Sequence, residues 1–436
     1  MELSMPTLKR LLLAASLCCL VTSVSASPID DATAAYIKGD YVRAFKLFSP
    51  LAAQGNTGAQ TKIGVMYEYG HGVAQDHQEA VKWYRLAADQ GYSIAQYNIG
   101  WMHLNGQGVT QSYQEAMKWF RLAAAQGNAD AQNNIGVLYE YGKGVIQDYK
   151  EAAKWFRLAA GQGDAKGQAS LGEMYLFGIG VAENKQEALR WYRLAADQGN
   201  AYAQTMLGAM YSTSQNYGEA LKWNGLAAAQ GDARAQNNLG HMYLKGQGVT
   251  QDHQEAAKWY RLAADQGHAD AQVSIGVIYE NGQGVTRSRK EALKWYKLAA
   301  AQGNADAQNN LGMMYYDGHG VTQNYQEALK WFRLAVAQGQ SNAQTTLGWM
   351  YDEGIGVNQD YKEALKWYRL AAAQGFAEAQ NNLGWMYQNA KGVTQDFQEA
   401  LKLYRLAADQ GNIESTSRLH SLERIAAAQN STSAKP

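Results

Sequence analysis

Residues 128–163, NADAQNNIGVLYEYGKGVIQDYKEAAKWFRLAAGQG, recur in close copy along almost the whole chain. Copies begin at Asn56, Tyr92, Asp164, Asn200, Asp232, His268, Asn304, Gln340 and Phe376. They make ten tandem units over residues 56–411, nine of 36 residues and one of 32. Self-similarity at a fixed period of this size is the mark of a stack, because one unit buries its apolar face only against its neighbours. A single globular core is excluded.

Each unit reads as two helices. Counting Asn128 as position 1, Ala131, Ile135, Leu138 and Tyr139 fall at i, i+4, i+7 and i+8 and form one apolar stripe of helix A. Gly136 interrupts that helix at a cost of about 1 kcal/mol relative to alanine. Its recurrence in every unit, from Gly64 to Gly384, predicts close backbone approach by a second helix. Helix A ends at Gly142 and Gly144, both able to take positive φ. Helix B opens on a capping-box-like pair, Asp148 with Glu151. The cap is Asp, Asn or Ser in all ten units. Helix B closes at Gln162 and Gly163. Nine of the twelve tryptophans occupy one place in it, from Trp83 to Trp367. They read as a core row filling the same inter-helix gap, worth about 3–5 kcal/mol each.

The combined pattern is A-x-A-Q-x-x-L/I-G-x-M-Y, then G-x-G-V, then D-x-x-E-A-x-K-W-Y-R-L-A-A-x-Q-G. It resembles the Sel-1-like repeat family, an α-helical relative of the tetratricopeptide repeat, over residues 56–411. The resemblance implies an all-α solenoid of antiparallel helix pairs stacked in a right-handed superhelix. It further implies a non-catalytic scaffold or adaptor that holds a protein or an extended peptide on its concave face, without a cofactor.

Outside the units, residues 1–26 have the form of a signal peptide: Lys9 and Arg10, an apolar run over residues 11–22, and cleavage after Ala26. An exported protein is expected, periplasmic or secreted. Both cysteines, Cys18 and Cys19, lie in that segment, so the mature chain carries no disulfide. This separates it from the cysteine-rich branch of the same family, and the penicillin chemistry proposed there is not carried over. Residues 27–55 read as a degenerate first unit whose second helix Pro50 should kink. Residues 412–428 read as a capping helix and 429–436 as a disordered tail. The unit at residues 200–231 lacks four residues where G-x-G-V should be, and carries Asn224-Gly225 in place of an aromatic and a base. It is either a shorter turn without consequence or a change of superhelical twist that divides the array.

On helix A, positions 3, 6, 10 and 13 lie opposite the apolar stripe and are expected on the concave surface. Position 10 varies most: Trp101, His241, Met313, Trp349 and Trp385 stand there, among smaller residues. With Tyr97 and Asp352 nearby, such aromatics rimmed by polar groups have the composition of a peptide-binding hot spot. Asn133, Asn237, Asn309 and Asn381, each the first of an Asn-Asn pair, offer a donor and an acceptor to an extended backbone. Asparagines near this place hold ligand backbones in tetratricopeptide clamps, which the resemblance supports. A carboxylate clamp is doubtful, since only Lys166, Arg234 and Lys245 supply base. The opposing readings are that these tryptophans and amides serve packing within the stack, or that the tryptophans stack on envelope glycan or peptidoglycan.

No catalytic constellation is present: no G-x-S-x-G, no Walker loop, no H-E-x-x-H, and eight scattered histidines off metal-ligand spacing. No enzyme, no metal and no cofactor are expected. The near-balance of charge, 39 Lys and Arg against 39 Asp and Glu, gives no reason to expect nucleic acid. No apolar run after residue 26 reaches the length of a membrane span, and a monomer is expected.

Overall fold

A computed structural model describes the backbone of residues 27–433 and the side chains of residues 27–424. The expected signal peptide and its cleavage point lie outside the described residues. Those residues form 23 α-helices and no strand, from Pro28–Ile37 to Ile413–Ser433. They divide into two compact units on either side of the Gln198–Gly199 bond, just before the short repeat. Within each unit every helix A packs along its own helix B, and helix B along the next helix A. No described helix is long and apolar enough to cross a membrane.

Local chemistry sets the helix ends. All ten expected helix B caps accept a hydrogen bond from the first-turn backbone, Asp148 Oδ1 from Lys150 N at 2.9 Å and Glu151 N at 3.0 Å for example. The second half of the capping box does not form there. Glu151 turns to Lys154, and seven counterparts likewise take the base three residues on, while Glu219 accepts from Trp223 Nε1 at 2.9 Å. A basic partner within the same turn outcompetes the neutral cap N–H. Helix A stops on a left-handed glycine such as Gly142, φ 63°.

The helix A glycines receive rings, not backbone. A Cβ at Gly136 would lie 2.6 Å from the Phe156 ring, and at Gly276 2.5 Å from the Tyr296 ring. Those aromatics, fully buried, are the core residues of helix B. The sequence pattern assigns that role to the neighbouring tryptophan, and the structure corrects this. Trp223 and Trp295 are 2% exposed, but Trp83, Trp119, Trp155, Trp191, Trp259, Trp331 and Trp367 are only half-buried. Each packs on the edge of the preceding repeat's core, Trp155 on the cluster of Phe120 and Ile135 for example. The indoles are seam residues, and the bases flanking them cover their faces: Lys366 lies 4.7 Å from the Trp367 ring.

A polar stitch runs through the same seams. Gln162, at the end of helix B, donates to Gln132 Oε1 at 2.6 Å, and Gln132 donates to Ala124 O of the preceding helix B at 3.3 Å. The same pair recurs as Gln302 to Gln272 at 2.8 Å and Gln272 to Ala264 O at 3.1 Å. The buried Gln132 and Gln272 are thereby satisfied at both amide atoms, as burial requires. At the ends of the array, the helix Tyr41–Ala53 continues through Pro50, and the terminal helix continues past residue 428 to Ser433.

Candidate binding face

The outward side of helix A is where side chains remain free of the stack, and it is narrower than the sequence suggests. Position 13 turns inward in several repeats, though Ser212 and Tyr316 do not follow. Glu280 Oε2 accepts from the Tyr296 hydroxyl at 2.8 Å, and Gln388 Oε1 from the Tyr404 hydroxyl at 2.7 Å. Asp352, expected on the surface, is the same position and is 7% exposed above Tyr368. Burial, and then Glu353 beside it, holds its carboxyl above the usual carboxylate range. It is a partner of the core ring and not a surface contact. Tyr97 is also drawn inward. Its ring lies 5.8 Å from Phe120 at the edge of its own repeat's cluster, and burial first, then Asp130, pushes its phenol up to about 12.

Position 10 does face outward. Trp101 is 38% and Trp349 37% exposed, and His241 is exposed as well. Trp349 stands edge-on to Tyr316, with centroids 5.7 Å apart. Met313 and Trp385 are half-buried and lean on neighbouring cores. The row is therefore a ridge, open at three of these five places.

The asparagines divide. Asn133 is 6% and Asn309 8% exposed, and the Oδ1 atoms of Asn133, Asn237 and Asn309 are buried with no donor. Asn381, 1% exposed, is fully used by the terminal helix: its Oδ1 accepts from Ser415 Oγ at 2.9 Å and its Nδ2 donates to Glu414 at 3.0 Å. It leaves nothing for a ligand. Residue 34 places after each of the other three is Gly167, Ala271 or Ala343, none of which has a side-chain donor.

In the second unit the short repeat opens a cleft of about 500 Å³ between helices Ala201–Thr213, Ala233–Lys245 and Ala269–Asn281. Asn237, Asn238 and His241 lie in it, with Ser212 and Thr213 on one side and Tyr260, Asp270 and Ser274 on the other. Asn238 donates to Asn224 Oδ1 at 3.1 Å. Asn224, 0% exposed, replaces the ring that other repeats set against their glycine, here Gly208.

The Sel1 repeat model matches eleven consecutive segments, from residues 34–56 to 377–412. A solved structure of a protective antigen of uropathogenic Escherichia coli, displaying an SLR fold, is 34% identical, covering 87% of this chain and 90% of that one at a TM-score of 0.58. This chain belongs to the Sel1 repeat family. A Sel1 repeat protein of Oxalobacter formigenes is similar as well, at 31% identity over 78% of this chain and 89% of that one, TM-score 0.42. A search of curated proteins finds none that matches. Sel1 repeat proteins are in general protein-interaction scaffolds. The eleventh segment of this Sel1 array, 34–56, coincides with the unit read as degenerate.

Two features of this Sel1 chain escaped the sequence reading. The glutamine stitch had a signal, a Gln at both places in every unit, but periodicity alone does not separate an amide pair across a seam from a cap. The cleft had a signal too, the missing turn and Asn224, without any indication of which face it opens.

Proposed function

We propose that this Sel1 repeat protein is an exported, non-catalytic adaptor that binds an extended segment of another protein along the outward side of its A helices. The observation that carries the reading is the cleft of the second unit, where the Asn237 carbonyl oxygen is buried and unpaired beside the exposed His241. An unmet acceptor costs about 1–3 kcal/mol, a cost that a donor arriving from a backbone N–H removes. Exposed aromatics on a scaffold already in shape lower the ordering cost of association. The export reading rests on the sequence of residues 1–26 and is checked by N-terminal sequencing of the protein recovered from its own cells.

A photo-crosslinking amino acid placed at position 241 or 349, against the same label at Lys290 on helix B, tests the binding face. Mass spectrometry of the products is expected to return one contiguous segment of one protein from both A-helix positions and nothing reproducible from position 290. Equal capture from position 290 would place the contact elsewhere.

A further inference from the structure

Between residues 269 and 409 charge is sorted by helix type, although the preceding A helix Ala233–Lys245 carries Arg234 and Lys245 and no carboxylate. The four A helices Ala269–Asn281, Ala305–Asp317, Ser341–Glu353 and Ala377–Gln388 carry seven carboxylates and no lysine or arginine. Asp270, Glu280, Asp306 and Asp317 lie on the first two, and Asp352, Glu353 and Glu378 on the others. The four B helices between Arg289 and Asp409 carry eleven Lys and Arg against five Asp and Glu. Glu280 and Asp352 are turned to the core phenols, which leaves five exposed carboxylates, Asp270, Asp306, Asp317, Glu353 and Glu378, on the A-helix side of this segment. Bases near the acidic helices are already engaged: Lys391 lies 4.7 Å from the Tyr361 ring and donates to its hydroxyl at 3.3 Å, and Arg287 donates to Glu280 O at 2.8 Å.

Two further observations lie on the same helices. Asn309, 92% buried by its exposure of 8%, holds an Oδ1 that receives no donor. Trp349 and Tyr316 present an aromatic edge pair beside Glu353, which is exposed. Carboxylates, an unpaired amide oxygen and indole faces share one demand: a cation with several N–H donors. A guanidinium has five donors in a plane and stacks on aromatic faces. We infer that the A-helix surface spanning residues 269–388 takes an extended protein segment rich in arginine. This rests on the binding face proposed above and gives its partner a chemistry. The charge is complementary in sign, and it steers encounter as well as holding the bound segment.

The test is fluorescence anisotropy of the full chain with three labelled twelve-residue peptides, alternating glycine with arginine, glutamine or glutamate. The expected result is binding of the arginine peptide only. Its affinity should fall at least about ten-fold between 20 and 300 mM salt, since screening shortens to within a contact distance over that range. The variant Asp306→Asn/Glu353→Gln/Glu378→Gln should weaken it by about ten-fold or more. All three are exposed carboxylates, so its melt should match the parent's. Equal or tighter binding of the glutamine or glutamate peptide overturns the charge inference while leaving the binding face intact. Capture of no peptide overturns both. Arginine-peptide binding that survives the triple variant but is lost in Glu291→Gln/Glu327→Gln/Glu363→Gln moves the site to the B helices and overturns it. If sedimentation shows an oligomer that the triple variant dissociates, the occupant is the basic surface of a second copy, and the inference falls.

Discussion

Gly136 and Phe156 show at the scale of one residue why this chain spends helix propensity in every repeat. Alanine at 136 gains about 1 kcal/mol of propensity but sets a methyl 2.6 Å from the ring, where overpacking costs about 1–3 kcal/mol. Gly136→Ala is therefore expected to lower the thermal midpoint. Gly225, mid-helix with nothing within 4 Å of an added Cβ, should do the opposite: Gly225→Ala is expected to stabilise by up to about 1 kcal/mol. The position of Gly136 was legible in the sequence, but its partner was not. Periodicity places a large residue opposite the glycine without choosing between adjacent Trp155 and Phe156. The choice falls to phenylalanine because the ring that meets the glycine must be enclosed on all sides, whereas the indole lies at a seam.

His103 makes a second residue-scale test. It stands where most repeats have tyrosine, is 9% exposed, and burial pushes its imidazole below the ordinary value of 6.5. The folded chain thus keeps it neutral while the unfolded chain protonates first. Its contribution to stability is complete above about pH 6.5 and is lost as the pH falls through that value toward the folded pKa. Melts of the parent and His103→Tyr from about pH 8 to pH 5 should diverge, with the variant gaining on the parent toward the acid end. Parallel curves would show that the ring is solvated.

At the scale of the element, the helices were legible almost to the residue, because caps and left-handed glycines mark the ends of most of them. What lay beyond reach was which amides are spent inside the stack. Asn133, Asn237, Asn309 and Asn381 have the same flanking sequence, yet only the Oδ1 of Asn381 receives a donor, since Ser415 follows it where the repeats place alanine or glycine. That difference lies 34 residues away and emerges only once neighbouring A helices are side by side. Removing the hydroxyl should release the terminal helix locally. Ser415→Ala is expected to cost about 1–3 kcal/mol, read as faster hydrogen exchange across residues 413–433 with little change in earlier repeats. Unchanged exchange there would mean that the helix is held by Leu422 and its apolar neighbours alone.

At the scale of the whole molecule, tandem period predicts the class of fold because nearest-neighbour contacts are all a solenoid has. Composition was a poorer guide. A balanced total conceals acidic A helices and basic B helices between residues 269 and 409, and only the assignment of each charge to its helix reveals them. Position 13 was misplaced for a related reason: a helical wheel gives an angle, while the reach of Asp352 or Glu280 toward a phenol depends on the ring across the gap. The exposed members of position 10 are what remains for a partner. The most direct measurement is therefore the affinity of the crosslinked segment for the parent and for Trp349→Ala, with both melts recorded. A hot-spot tryptophan should lose at least about thirty-fold in affinity, some 2 kcal/mol, with the midpoint nearly unchanged. Unaltered affinity, or a collapse of the melt together with the affinity, would contradict the assignment of this ridge to binding.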